Sequence, residues 1–231
     1  MSMLEEPRGG GACGFPSFLY PGQADLGSVL AEARRSTEEK AAEIVRLRWQ
    51  VAEMAGDELA ECAQEMAIRF ASGGRLFAFG NGGSSTDAQE VATTFLYPAY
   101  GLSLPALSLT GDVAVVTALS NDVGFDVVFA RQLAALGRRG DIAVGLSTSG
   151  GSFNVLQAFE EASRRGMLTI GLAGDQGGKL AGLGLLDYLF VIPSSSVHRI
   201  QEAQTTLYHV LWELTQHALG AVPAPQVHDA G

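Results

Sequence analysis

The chain has 231 residues, enough for one α/β domain with a helical extension and too few for two substantial domains. Its formal net charge is −10 and no stretch concentrates Lys or Arg, so we expect no nucleic-acid partner. No apolar run approaches the roughly 18 residues of a membrane span, so we expect no membrane partner. Residues 1–11 lack the order of a signal peptide, and Cys13 and Cys62 have no metal-ligand spacing, which predicts a cytoplasmic location.

Three segments are predicted along the chain. Residues 1–25 contain several Gly and Pro residues without periodicity and are predicted to be flexible, and residues 220–231 are predicted to be a disordered tail. Residues 26–219 are predicted to form a single domain. Its first part, to about residue 70, repeats apolar residues at helical spacing, with a break expected near Gly56. The apolar face of this extension is broad, which favours self-association.

The rest of the domain alternates apolar strands with helical stretches. Strands are predicted at residues 75–79, 105–109, 142–146, 168–172 and 188–192, and helices at 86–95, 113–118, 126–136, 154–165, 179–182 and 196–219. This order is typical of a parallel sheet with right-handed crossovers and helices on both faces. The predicted fold class is therefore α/β, a three-layer sandwich around a five-stranded parallel sheet, preceded by the helical extension.

Two loops rich in glycine and hydroxyl side chains follow predicted strands and precede predicted helices. The first reads GNGGSST at residues 80–86, and the second reads STSGGS at residues 147–152. Such a turn directs backbone N–H groups, hydroxyls and the positive end of the helix dipole to one spot, which suits a phosphate group. Two of them in one sheet predict a phosphorylated small molecule at its carboxyl edge. The alternative is that these residues only form turns and helix caps.

Four motifs in order carry a family resemblance. They are GNGGS at 80–84, Ser120-Asn121-Asp122, STSGGS at 147–152, and Arg199-Ile200-Gln201-Glu202 leading into a helix with His209. In this order the chain resembles the sugar isomerase (SIS) domain and, within it, the phosphoheptose isomerases, over about residues 26–219. The resemblance implies a five-stranded parallel sheet flanked by helices and tetramers with active sites at subunit interfaces. It also implies isomerisation of sedoheptulose 7-phosphate to heptose 7-phosphate, commonly with zinc.

The resemblance further implies a substrate site. The residues predicted to bind the sugar phosphate are Asn81, Gly82, Ser84, Ser147, Thr148, Ser149 and Ser152. Asn121 and Asp122 are expected close to the sugar. Gln201 stands where the family has a metal-ligand glutamine, and we include it in the predicted substrate site. The serines and the threonine are also the residues that the loop pattern by itself brings to the helix starts.

Isomerisation needs a base that removes a proton from carbon and a group that moves protons between two oxygens. His209 stands where the family has its catalytic histidine. After GNGGS the family has a metal-binding histidine and, four residues later, the catalytic glutamate; here those positions are Glu90 and Thr94. Because residues four apart share a helix face, a carboxylate is displaced by one turn. We therefore predict that Glu90 is the base and His209 the acid or proton shuttle, through an enediol.

The match to a zinc site is weaker. The candidate ligands are Glu90, Gln201 and His209, an oxygen-rich set with fewer imidazole or thiolate groups than zinc sites usually use. His198 also replaces an acidic residue of the family, which puts the family's recognition of sugar hydroxyls in question here.

The predicted function is aldose–ketose isomerisation of a sugar phosphate, with sedoheptulose 7-phosphate as the substrate, in heptose biosynthesis. The predicted partners are this substrate and further copies of the chain in a homotetramer. The alternative is a non-catalytic SIS module that binds a phosphosugar or a protein partner such as a bacterial replication initiator. That alternative is motivated by the threonine at position 94, which cannot remove a carbon-bound proton at neutral pH.

Overall fold

The computed structural model describes residues 26–220, so the predictions for residues 1–25 and for the tail beyond residue 220 lie outside the described residues. The helices are α1 (Leu26–Ala71), α2 (Gly83–Leu96), α3 (Val113–Asp122), α4 (Val128–Leu136), α5 (Phe153–Arg164), α6 (Gly178–Ala181) and α7 (Val197–Ala218). The strands are β1 (Leu76–Gly80), β2 (Ala106–Ser108), β3 (Ile142–Ser147), β4 (Leu168–Gly174) and β5 (Tyr188–Ile192). A short 3-10 helix, Phe125–Val127, precedes α4.

The strands form one five-stranded sheet in the order β2-β1-β3-β4-β5. Every neighbouring pair is parallel. The predicted α/β fold class, with a five-stranded parallel sheet flanked by helices, is therefore confirmed. Each strand begins and ends within two residues of its predicted position, because buried parallel strands form near-continuous apolar runs that are easy to delimit.

Helix boundaries differ more from the prediction than strand boundaries do. Helix α2 begins three residues before the predicted start, and α3 continues to Asp122 rather than ending at Ala118. The Asp112 carboxylate caps α3 by accepting a hydrogen bond of 3.0 Å from the backbone N–H of Val115. Asn121 and Asp122 consequently lie in the last turn of a helix instead of in a loop.

The predicted break near Gly56 is wrong. Helix α1 runs without interruption through this residue. Glycine lowers helix stability by only about 1 kcal/mol relative to alanine. The neighbouring Val51 and Leu59 are 6% and 4% exposed, so their burial offsets that cost.

The chain divides into two compact units between Glu43 and Ile44. In the first unit the described residues are helical, and Arg35 pairs along the helix with Glu32 and Glu39 at 2.5 and 2.7 Å. The second unit contains the whole sheet. The prediction of a single domain over residues 26–219 stays a prediction. Within the part of the chain that the structure describes, no helix is long and apolar enough to cross a membrane.

The sheet separates two hydrophobic clusters. Alternate residues of each strand point to opposite faces, so Leu76 and Ala78 of β1 join the cluster shared with α1, α2 and α7, whereas Phe77 and Phe79 join the one shared with α4 and α5. Gly145 of β3 lies under the second cluster, where a Cβ would come within 2.5 Å of the Phe159 ring. The close approach of that ring therefore requires glycine at this position.

Candidate active site

The two glycine-rich loops leave neighbouring strands at the same level. Strands β1 and β3 pair with Gly80 opposite Leu146, so both loops begin at the carboxyl edge of the sheet. Helix α2 starts at Gly83 inside the first loop, and α5 starts at Phe153 directly after the second. Two helix N-termini, with the positive ends of their dipoles, thus flank one stretch of this edge, which is suited to bind an anion.

The loops hold some of their hydroxyl groups inside the protein and expose others. Ser84 and Ser147 are 4% and 3% exposed, and the hydroxyls of Ser147 and Ser152 lie 3.1 Å apart. Ser149 is exposed and Thr148 is half-buried. The second loop therefore combines a buried serine that fixes its shape with hydroxyls that a ligand can reach.

The second loop is supported by another glycine-rich turn, residues 174–178. Side chains at Gly150 or Gly178 would overlap the backbone of the facing loop, so the two backbones lie in direct contact. The backbone N–H of Leu180 also donates to the carbonyl of Gly150 at 3.0 Å. This turn therefore packs against the STSGGS loop and supports its shape.

The two loops are joined by a pair of asparagines. Asn81 Nδ2 donates to Asn154 Oδ1 at 2.8 Å, and Asn154 Nδ2 donates to Asn81 Oδ1 at 2.9 Å. Asn81 belongs to the first loop, and Asn154 is the second residue of α5. Asn81 was predicted as a phosphate ligand, whereas Asn154 was not predicted to belong to the site.

The predicted catalytic residues lie opposite one another on α2 and α7. Glu90 Oε1 is 3.7 Å from His209 Nε2, and the two side chains are 50% and 40% exposed. His209 Nδ1 lies 2.8 Å from the carbonyl oxygen of Thr205, which can only accept a hydrogen bond. This contact favours the tautomer with the proton on Nδ1 and leaves Nε2, on the side of Glu90, free to accept a proton.

Two further polar residues border this pair. Burial is the main cause that raises the pKa of Asp87 to about 6; the charge of Glu90 raises it further, and a hydrogen bond from Gln201 lowers it. The Asp87 Oδ2 atom is buried without a hydrogen-bond partner among the described residues. Burial also raises the pKa of the Tyr208 phenol, its hydrogen bond with Thr205 lowers it, and the nearby Glu90 raises it. Glu90 therefore has a second carboxyl group and a phenol as neighbours.

The polar groups of α7 reach the first loop. A Cβ at Gly83 would overlap the amide of Gln201, so this amide lies against the loop backbone. Glu90 follows Gly83 by seven residues, which at about 1.5 Å per residue places it about 10 Å along α2. That separation is comparable with the length of an extended sugar phosphate, so the loops and the Glu90–His209 pair can engage the two ends of one substrate.

Other predicted residues have a different setting. Asn121 and Asp122 are exposed, and Asn121 Nδ2 donates to Asp122 Oδ1 at 2.9 Å. Gly82 is exposed in the first loop with a φ of 55°, a conformation that favours glycine. His198 is exposed at the start of α7. Thr94 is half-buried on α2, one turn beyond Glu90.

The candidate metal ligands do not fit a zinc site. Glu90, Gln201 and His209 contribute one carboxylate, one amide and one imidazole, whereas zinc sites usually use several imidazole or thiolate groups. Among residues 26–220, no group of three or more His, Cys, Asp or Glu side chains is arranged to bind a metal ion. We therefore derive no reaction step through a metal.

Comparison with known proteins places this fold and site in a family. A family model described as the SIS domain matches residues 41–174. A phosphoheptose isomerase of Nitratidesulfovibrio vulgaris (strain Hildenborough) is 42% identical over 190 residues, which are 81% of this chain and 90% of that protein. One of Burkholderia pseudomallei is 38% identical over 178 residues, covering 74% and 89% of the two chains.

Solved structures give the same result. The phosphoheptose isomerase of Neisseria gonorrhoeae superposes with a TM-score of 0.75 at 36% identity, covering 80% of this chain and 99% of that one. The enzyme of Francisella tularensis superposes with a TM-score of 0.76 at 32% identity, covering 80% and 98%. The chain belongs to the SIS domain family and, within it, to the phosphoheptose isomerases.

Sequence reasoning missed three residues that the structure brings to the site. Asp87 is three residues before Glu90, and this spacing on one helix face was a usable signal. Tyr208 and Asn154 were harder to find. Nothing in a lone tyrosine or asparagine shows that it faces another loop or helix, since that depends on how distant elements pack.

Proposed function

We propose that the protein is a phosphoheptose isomerase that interconverts sedoheptulose 7-phosphate and heptose 7-phosphate. The observation that carries this proposal is the 3.7 Å pairing of Glu90 with His209, about 10 Å along α2 from the first loop. The names of the similar proteins support the same reaction. It also agrees with the two helix N-termini at the carboxyl edge, because they favour an anionic phosphate ester.

In the proposed binding mode, the phosphate lies between the two loops. Hydroxyls of Ser84, Thr148 and Ser149 and the helix-start N–H groups donate to its oxygens. The remaining predicted ligands are Asn81, Gly82, Ser147 and Ser152, with Asn121 and Asp122 nearer the sugar and Gln201 between loop and carbonyl end. Neutral donors and helix dipoles allow a protein of net charge −10 to bind a dianion.

The proposed chemistry is a proton transfer through an enediol. The Glu90 carboxylate removes a proton from C1 of the ketose, and the electron pair of that C–H bond forms the C1–C2 double bond. His209 Nε2 accepts the proton of the C1 hydroxyl and passes it to the C2 oxygen. Glu90 then returns its proton to C2, so the ketose becomes the aldose with no net loss of protons.

The first experiment follows isotope transfer. The purified protein is incubated with sedoheptulose 7-phosphate in deuterated water, with and without added zinc, and both aldose formation and deuterium at C1 and C2 are measured. We expect aldose that carries solvent deuterium. Bound substrate with neither product nor label would contradict the proposal. Labelled product that forms only with added zinc would contradict the view that the site works without this metal.

A second candidate function is a phosphosugar-binding module without catalysis. The observation that favours it is Thr94, which stands where the resemblance implies the family's glutamate. In this case the same incubation gives binding without exchange, and Thr94→Glu in the chain would introduce exchange that the unchanged protein lacks. If instead the unchanged protein exchanges and Thr94→Glu adds nothing, the displaced base Glu90 is sufficient.

We also propose that the protein is a cytoplasmic homotetramer. Large apolar residues of α1 are exposed within the second unit; they are Val45, Trp49, Met54 and Ile68. Such a face is favourable to bury against another copy. The free, buried thiol of Cys62 suits a reducing compartment. Light scattering is expected to give a tetramer mass that Trp49→Glu lowers and the exposed neighbour Glu53→Gln leaves unchanged.

A further inference from the structure

The reciprocal asparagine pair is the only direct side-chain connection described between the first loop and α5. Asn154 is 2% exposed, and its amide both donates a hydrogen bond to Asn81 and accepts one from it. Neither bond is part of the sheet or of a helix. The pair therefore links two loops whose separation the strand ladder alone does not determine beyond Gly80 and Leu146.

The chemistry of the pair explains why both residues are asparagine. An amide carries one NH₂ donor and one carbonyl acceptor, so two facing amides can satisfy each other in both directions. A buried amide without such a partner is destabilising, because its polar atoms have lost water and gained no replacement. Because Asn154 is buried and Asn81 is half-buried, Asn154 sets the orientation of the Asn81 amide.

The orientation of Asn81 matters for the loop. After pairing, Asn81 keeps one N–H and one carbonyl lone pair for other partners. Asn81 also supplies the carbonyl that accepts the backbone N–H of Ser84 at 3.0 Å, at the start of α2. A displaced Asn81 would thus disturb both its own side-chain donor and the helix start that we propose to face the phosphate.

We propose that Asn154 is a positioning residue that acts through Asn81: it orients the Asn81 amide and holds the two phosphate-binding loops at one separation. This proposal rests on the proposed function, because the ligand is taken to be a sugar phosphate. Asn154 itself does not touch the phosphate in this arrangement. Its effect is on ligand affinity, since phosphate binding is made equally in the ground and transition states, and such binding changes KM more than kcat.

A double-mutant cycle with sedoheptulose 7-phosphate tests the coupling. Asn154→Ala is expected to raise KM about tenfold, with kcat changed less than about threefold. Asn154→Asp, which keeps the shape but loses the donor, is expected to raise KM similarly. Because Asn154 acts through Asn81, the double variant Asn81→Ala with Asn154→Ala should differ from Asn81→Ala alone by less than about twofold. Independent effects that multiply in the double variant, or an unchanged KM in Asn154→Ala, would overturn the proposal.

A matched control separates positioning from general stability. Thr169 is buried at the start of β4, at the edge of the sheet opposite the two loops. Thr169→Val removes the hydrogen bonds of its hydroxyl to Leu185 and Asp187. We expect it to lower the melting temperature as Asn154→Ala does, yet to leave KM unchanged. If Thr169→Val raises KM equally, Asn154 has only a structural role.

Hydrogen exchange of the ligand-free protein tests the positioning role of Asn154 without an activity assay. In Asn154→Ala, the backbone amides of residues 80–86 are expected to exchange about tenfold faster, and in Thr169→Val at the unchanged rate. Equal exchange in all three proteins would overturn the proposal. If the unchanged protein shows no turnover but this difference appears, the positioning role stands and the proposed isomerase function fails.

Discussion

The amino and carboxyl edges of the sheet carry similar polar residue types, but the hydrogen bonding of these residues differs between the two edges. At the amino edge, Asp141 is 3% exposed and fully used: it accepts from the backbone N–H groups of Arg75 and Arg138, each at 2.9 Å, and pairs with the Arg75 guanidinium at 2.8 Å. Thr169 at the start of β4 and Asp187 directly before β5 form a similar set of hydrogen bonds. These groups connect the starts of neighbouring strands.

At the carboxyl edge, polar groups keep unused capacity. One oxygen of Asp87 is buried without a partner among the described residues, and Glu90 and His209 remain about half exposed at 3.7 Å. Unpaired buried polar atoms are costly, and they also occur at Gln204 and Trp212 of α7. The two edges therefore differ in how fully their polar groups are paired rather than in residue type, which makes the carboxyl edge the candidate site.

The largest expected effect is the loss of turnover when Glu90 is substituted. Glu90→Gln keeps the size of the side chain and removes the proposed base, so kcat should fall about 10³-fold while the Kd of the phosphosugar stays within about threefold. Turnover and calorimetric binding are measured on the same preparation. Glu160→Gln, an exposed substitution on α5, is the control and should retain full activity. Turnover that survives in Glu90→Gln would assign the base to another group.

The next effect concerns His209. His209→Gln retains a polar side chain but cannot shuttle a proton, so we expect kcat to fall about 100-fold with little change in KM. A drop in melting temperature with normal kcat would instead identify His209 as a packing residue.

The amino edge should respond in stability and not in catalysis. Asp141→Ala leaves two backbone N–H groups and the Arg75 guanidinium without their acceptor, which should lower the free energy of unfolding by about 3 kcal/mol. Urea unfolding measures this loss, and kcat of the folded protein should be unchanged. The exposed Asp126→Ala provides the comparison and should cost little. A fall in kcat in Asp141→Ala would show that the two edges are not separate.

The smallest expected effect is on the pH dependence of stability, through Asp87. Burial first, and then the charge of Glu90, raises the pKa of Asp87 from 3.8 to about 6. Between these values the folded protein holds a proton that the unfolded chain has released, so stability falls as pH rises through this window. Asp87→Asn removes this dependence. In urea unfolding from about pH 4 to pH 7, the free energy of unfolding of the unchanged protein should fall relative to that of Asp87→Asn as pH rises. An equal pH dependence of the two proteins would contradict the raised pKa.

Prediction from the sequence was most accurate for the sheet and for the two loops. The strands were predicted accurately because buried parallel strands are continuous apolar runs, and the loops because glycine and serine between a strand and a helix are typical of turns and helix caps. The helix ends were less accurate, since the cap at Asp112 and the passage of α1 through Gly56 depend on packing and local hydrogen bonds. The choice of Glu90 and His209 as candidate catalytic residues rested on the family resemblance, and their 3.7 Å separation needed coordinates.

The amino-acid sequence by itself determined the α/β class, the strand order along the chain and the chemistry available at each loop, because these follow from local periodicity and residue type. Only the tertiary structure decided which of these groups meet. The amide pair of Asn81 and Asn154 joins residues 73 apart, and Asp87 lies beside Gln201 because α2 packs on α7. Contacts between distant segments depend on how the elements pack on the sheet, and a linear pattern carries no record of that packing.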